Sequence, residues 1–155
     1  MPIKAINYQN YITPSDYVKF EEGDTTIRII SNGGTCKMHG MKTARGYVNM
    51  GICSEDNTCE NCKKGYEAKT RWIWVVYLPE FDAVRIMEVG KRAGDTICKM
   101  AKKYGDPQGY DLVITRVGEM LKTDYSVKMG KKEALSEELL NKLKPIKDLL
   151  VKKHF

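Results

Sequence analysis

The stretch Cys53-Ser-Glu-Asp-Asn-Thr-Cys59-Glu-Asn-Cys62 constrains this chain more than any other. A C-x2-C pair preceded by a third cysteine, with His39 upstream in Cys36-Lys-Met-His39-Gly40, is the donor set of a tetrahedral Zn(II) site. Cys59 and Cys62 can share a knuckle turn whose backbone N–H groups point at the sulfurs, and Cys53 is near enough to be the third ligand. His39 and Cys36 compete for the fourth place. The residues between the cysteines are Ser, Glu, Asp, Asn and Thr, which are not core residues, so these thiols do not read as buried hydrophobes. A redox C-x2-C more often opens a helix in a βαβ context, whereas this one lies in a loop. An iron–sulfur cluster would accept the same four donors. Four protein ligands leave no open position for water, so the expectation is one structural Zn(II) per chain. The zinc-deaminase signature is missing, since Gly40 and Met41 follow His39 and Thr58 precedes Cys59.

The 155 residues suffice for one domain, 1–155, that buries about two-thirds of its unfolded surface. Lys and Arg exceed Asp and Glu by 26 to 20, a net charge of +6 that favours a polyanionic partner. The first residues turn polar at once, unlike a signal peptide, and no apolar run approaches a membrane span. Five cysteines without an export signal place the chain in a reducing compartment, the cytoplasm, with no membrane partner.

Periodicity supplies the elements. Thr25–Ser31 is β-branched and reads as a strand, with Tyr17–Phe20 as its first half and Asn32-Gly33-Gly34 as its end. Gly46–Met50 is a short strand inside the cysteine segment, 36–66. Arg71–Leu78 is the strongest strand, and Pro79-Glu80 turns it into an antiparallel partner at Ala83–Val89. Asp95 caps a helix carrying Ile97, Met100, Ala101 and Tyr104 on one face, with Gly105 at its end. Tyr110–Val117 and Leu121–Met129 form a hairpin. Residues 136–155 are helical, with Ser136 capping one helix and Pro145 opening a second. Without the cysteine segment the order is strand, strand, strand, helix, strand, strand. That is the order of the OB-fold, a five-stranded Greek-key barrel, mainly β with helices, in which 36–66 is a zinc-binding insertion between the first two strands. A small α+β sheet domain explains the same elements without closure.

Within Arg71–Leu78, Trp72, Trp74, Val76 and Leu78 face one side, and Arg71, Ile73, Val75 and Tyr77 the other. If one face is core, the other can offer rings to bases and a cation to phosphate. Basic and aromatic residues also mix at Lys42, Arg45 and Tyr47, at Arg85, Lys91 and Arg92, and at Lys122 and Tyr125. The stacking candidates are therefore Trp72, Trp74, Tyr77, Tyr47 and Tyr125; the phosphate candidates are Arg45, Arg71, Arg85, Lys42, Lys91, Arg92 and Lys122. Cys98 reads as packing. No Walker A loop, Ser-His-Asp set or H-E-x-x-H helix appears, so no enzyme is expected.

His39-Gly-Met-Lys42, Gly46-Tyr-Val, Cys53 and Cys59-Glu-Asn-Cys62 together resemble the zinc segment of the gene 32 type, the helix-destabilising single-stranded DNA-binding proteins of T-even-like phages. Gly23–Ile30, Tyr110–Gly118 and Thr123–Val127 look similar to strands of those proteins, so the likeness covers roughly residues 17–130. The resemblance favours His39 over Cys36 as fourth ligand. It implies an OB-fold core with structural zinc and a basic, aromatic cleft that protects and organises single-stranded DNA in phage replication, recombination and repair, in the host cytoplasm. Replication or recombination proteins and self-association along the strand would follow. The chain departs from that pattern in a shorter gap between Cys53 and Cys59, and it shows neither a basic N-terminal arm nor an acidic C-terminal tail. Two rivals remain: a zinc-containing protein-interaction adaptor, and a metal-dependent nucleic-acid-processing enzyme. DNA and RNA are not told apart by residue types.

Overall fold

The computed structural model describes residues 3, 16–44, 46–55, 58–118 and 123–155, with the side chains at 42, 46, 47 and 49 left aside. Arg45 and Lys122 lie outside the described residues, as do the side chains of Lys42 and Tyr47. The elements run β1 (Gly23–Ile29), β2 (Gly34–Thr43), β3 (Gly46–Ile52), α1 (Glu60–Lys63), β4 (Glu67–Leu78), β5 (Ala83–Val89), α2 (Lys91–Tyr104), a 3-10 turn (Pro107–Gly109), β6 (Leu112–Val117), β7 (Asp124–Met129) and α3 (Glu137–His154). Among the described residues the fold is mainly β, one open antiparallel sheet of seven strands with three helices. No helix among the described residues is long and apolar enough to cross a membrane.

The long strand β4 organises the sheet. One of its edges pairs with β5, from Trp72↔Val89 to Leu78↔Ala83. Its other edge carries two strands end to end: β1 opposite Val76 and Tyr77, and β2 opposite Glu67–Ile73. The expected stop at Asn32-Gly33-Gly34 is therefore a joint, after which the chain resumes along the same edge. At that joint the Ser31 hydroxyl accepts from Val75 N–H at 2.9 Å, replacing a ladder bond, and the Trp74 indole occupies the space a Cβ on Gly33 would need. Beyond the joint β1 pairs with β6, β6 with β7, and β2 with β3.

Two cores sit on the two faces of β4. Trp74, Val76 and Leu78 pack with Ile27, Ile29, Met87, Ile97, Leu112 and Ile114 under α2 and the β6–β7 hairpin. Ile73, Val75 and Tyr77 pack with Val84, Ile86, Leu143 and Leu150 under α3. Arg28, 2% exposed, ties β1 to the loops beneath: Nε donates to Asp111 Oδ1 at 2.8 Å, Nη2 to the Glu133 carbonyl at 2.6 Å and Nη1 to the Gln108 carbonyl at 3.3 Å.

Several expectations are corrected. Among the described residues no ladder joins β5 to β7, so the five-strand path β5-β4-β1-β6-β7 does not close into a barrel. The physical reason is the segment 16–20. It is not the first half of β1; it lies parallel to β5, with Val18 N–H on the Ile86 carbonyl at 2.8 Å and Ile86 N–H on the Asp16 carbonyl at 2.7 Å. It thereby fills the edge that closure would use. The helix α2 starts at Lys91 behind Gly90, not at Asp95, because Gly94 is held inside the helix by the Trp72 ring against it. Residues 137–154 form one helix with Pro145 inside. Leu143 and Leu150, on either side of the proline, are both buried on the sheet, and that packing outweighs the lost hydrogen bond. Ser136 does cap this helix, accepting from Leu139 N–H at 3.1 Å.

Candidate functional site

His39 sits on β2, Cys53 just after β3, and Cys59 and Cys62 at the two ends of the turn that forms α1. Their ligand atoms lie within 4.8 Å of one another, a group that could hold one metal ion. Cys53 Sγ is 3.5 Å from Cys62 Sγ, and His39 Nε2 is 3.3 Å from Cys59 Sγ and 3.4 Å from Cys62 Sγ. A tetrahedral site with ordinary bond lengths has donor–donor edges of about 3.5–3.8 Å, and these three separations already approach that length.

Local backbone chemistry places each donor. The β2–β3 ladder slips between His39 and Gly40, leaving an extra residue on β3, and Gly51 opposite His39 takes φ of 105°, which favours glycine. The Asn61 amide donates to the Met50 carbonyl at 2.8 Å and so ties the knuckle to this bulge. Gly65, at φ 78°, ends the knuckle turn, and the next residue orients the histidine. The Tyr66 carbonyl sits 3.0 Å from His39 Nδ1. A carbonyl only accepts, so Nδ1 carries the proton and the Nε2 lone pair faces the thiols.

Electrostatics make the cluster uncomfortable without a cation. The Cys62 backbone N–H, aided by those of Ser54 and Asn61, draws the Cys59 thiol down to about 6. Cys62, which shares a hydrogen bond with the Cys53 thiol, is pushed up to about 11. The first thiolate penalises the next; a divalent cation among them reverses that sign. Cys36 is not in the group. It sits on β2 opposite Arg71 and packs on the core under α3, where burial raises its thiol. Three residues along a strand put Cys36 and His39 on opposite faces, which decides between them.

A second feature opens along the seam between the end of β5, the first turn of α2 and the start of β7. It is a cleft of about 420 Å³ whose walls include Lys69, Arg71, Lys91 and Arg92 together with Phe20 and Tyr125. A contiguous recess of about 350 Å³ shares Lys69, Arg71 and Lys91 and reaches the Trp72 ring. Phe20 and Tyr125 meet edge to face at 5.8 Å between centroids. Two carboxylates are also present: Glu88 takes Arg71 Nε at 2.8 Å, and Asp124 takes Arg92 Nη1 at 2.6 Å.

The cleft thus gathers five of the twelve residues expected to contact a strand: Arg71, Trp72, Lys91, Arg92 and Tyr125. Trp74 and Tyr77 are withdrawn from that role. Trp74 is 6% exposed in the inner core, and Tyr77 is 8% exposed under α3 with its hydroxyl on Asp82 at 2.8 Å. From Ile73 to Leu78 both faces of β4 are core, because α3 covers the face expected to be free. Arg85 does not line the cleft; its Nη1 folds back onto the Val84 carbonyl at 2.8 Å. Phe20 and Lys69 are the residues that sequence reasoning missed. Lys69 lies on the extension of β4 that pairs with Met38, a register no local pattern displays.

Compared with family models, with curated proteins and with solved structures, the chain matches none.

Proposed function

We propose that this chain is a sequence-tolerant single-stranded DNA-binding protein of OB type, held together by one structural Zn(II) and without catalysis. The observation that carries the reading is the cleft with its adjoining recess, lined by four cations, Lys69, Arg71, Lys91 and Arg92, together with Phe20, Trp72 and Tyr125. Duplex DNA hides its bases and offers phosphates alone. An unpaired strand offers both, and rings beneath cations suit it.

The strand path supports the same reading. The order β5-β4-β1-β6-β7, with α2 between β5 and β6, is the OB order, with residues 16–20 standing where the closing pair would be. In that fold ligands lie over the second and third strands, here β4 and β5, flanked by the first loop and the last hairpin. Arg71 is on β4, the β2–β3 hairpin with the metal cluster occupies the first loop, and Tyr125 follows the last hairpin turn. The donor chemistry, three thiols and an imidazole oriented by a carbonyl, suits tetrahedral Zn(II), which would cross-link β2, the end of β3 and α1. His39, Cys53, Cys59 and Cys62 would hold it, and no ligand position is left for a reacting water.

The test is titration of the zinc-loaded protein with oligo-dT and with duplex of equal length. The expected result is tighter binding of the single strand, with a log–log salt slope of about −2 to −3 for three or four neutralised phosphates. No binding at low salt, or a flat salt dependence, would favour the adaptor; turnover of labelled strands with Mg(II) would favour the enzyme.

A further inference from the structure

The cleft holds four cations but is partly self-neutralised. Arg71 and Arg92 are each engaged by a carboxylate that also lines the walls. The two pairs differ in kind. Glu88 is 16% exposed and lies on β5, beside the strand that bears Arg71, so that pair belongs to the floor. Arg92 and Asp124 come from different elements, the first turn of α2 and the first residue of β7. They are 78% and 62% exposed and meet at 2.6 Å. Both line the cleft, so their bridge ties one wall to the other.

We infer that Asp124 is a built-in phosphate mimic: its carboxylate occupies Arg92 until a strand phosphate takes the guanidinium in its place, releasing the tie between α2 and β7. The chemistry is an exchange of one oxyanion for another on the same fork of N–H donors, with no covalent step. The exchange is within reach because so exposed a pair contributes little to stability. The floor pair is more enclosed and would persist. This inference rests on the reading of the cleft as a single-strand site. It adds that Asp124 lowers affinity through Arg92 specifically and thereby sets which strands are held: a continuous phosphate chain displaces the carboxylate, whereas an isolated anion competes poorly.

Two consequences separate this from a general charge effect. Removing the carboxylate should tighten binding only while Arg92 is present. It should also steepen the salt dependence, since the strand then gains a phosphate contact without freeing a carboxylate that must collect its own counterion.

The experiment is a double-mutant cycle on the zinc-loaded full chain, with oligo-dT as probe and affinity followed against salt. D124N is expected to bind about two- to five-fold tighter than the parent chain, with a salt slope steeper by up to ~0.7. R92Q should bind more weakly, and D124N added to R92Q should change nothing further. If D124N gives the same gain in the R92Q background, Asp124 acts by diffuse repulsion and the inference falls, while the single-strand reading stands. If D124N has no effect in the parent chain, the inference falls as well. If the parent chain binds no oligo-dT at low salt, it is the underlying reading that fails.

Discussion

Replacing Gly94 tests how α2 is seated on the sheet, and with it the shape of the cleft floor. A Cβ built there would lie 2.5 Å from Trp72 Cδ2 and 2.8 Å from both Cγ and Cε3. Carbon atoms in contact prefer about 3.5–4.0 Å, so ring and helix must part by roughly 1 Å. Two effects oppose each other in Gly94→Ala. Alanine in a helix interior gains about 1 kcal/mol over glycine. Overpacking against a ring costs about 1–3 kcal/mol. Trp72 is half-buried, so part of the strain is relieved by pushing the indole toward the recess beside Lys91. The net expectation is a loss of up to ~2 kcal/mol. At roughly 2–4 °C per kcal/mol for a chain of this size, the melting temperature should fall by up to about 8 °C. Gly94→Val keeps less of the helix gain and adds two methyl groups, so its loss should be larger. Thermal unfolding of both variants, followed by circular dichroism, provides the measurement, and tryptophan emission should shift as the indole moves. An alanine variant clearly more stable than the parent chain would refute the close approach of α2 and Trp72.

Three further outcomes are expected. His39→Ala should lose stoichiometric metal on dialysis, whereas Cys36→Ser, outside the donor group, should retain it; elemental analysis separates them, and the reverse ranking would give the fourth position to Cys36. Arg28→Met should cost about 3–5 kcal/mol in urea unfolding, because Asp111 and two loop carbonyls lose a buried cation; a loss below 1 kcal/mol would contradict the network. Burial raises the Asp16 carboxyl, but hydrogen bonds from Lys153 and His154 outweigh it and hold the group below its ordinary value. A depressed carboxylate stabilises the fold above about pH 4 and loses that contribution as pH falls through the lower folded value. Melting temperatures measured between pH 6 and pH 3 should therefore fall less steeply in Asp16→Asn than in the parent chain.

The grouping of the four candidate donors was legible in the sequence because ligand chemistry is local: a C-x2-C turn, a nearby third thiol and an upstream imidazole announce themselves by type and spacing. The strand at 71–78 and the hairpin at 112–129 were legible for a similar reason, their alternation being strong over a short window. What stayed hidden depended on distant partners. Residue type and spacing did not separate Cys36 from His39, for which only the resemblance spoke, and the Lys-Met-His-Gly-Met-Lys run of β2 has little β character of its own. Tyr77 read as a ring for stacking because nothing near it says that α3, sixty residues on, covers that face. Asp95 and Pro145 were read as helix boundaries, and each reading was overruled by packing: an indole against Gly94 in the first case, two buried leucines around the proline in the second. Phe20 and Lys69 entered the cleft through a parallel bridge and an extended ladder, both long-range.

Zinc held by His39, Cys53, Cys59 and Cys62, as proposed, would brace the strand that presents the cleft. His39 pairs with Ala68 and Met38 with Lys69, so the donor strand β2 lies hydrogen-bonded beside the cations on β4. The most direct measurement is oligo-dT affinity of the same preparation with one zinc bound and after chelation, read by tryptophan emission and by anisotropy of the labelled strand. Stoichiometric zinc is expected, with a loss of about tenfold or more in affinity on chelation, in the range that misplaced supporting contacts cost, restored on adding zinc back. Equal affinity with and without metal, or no binding in either state, would contradict it.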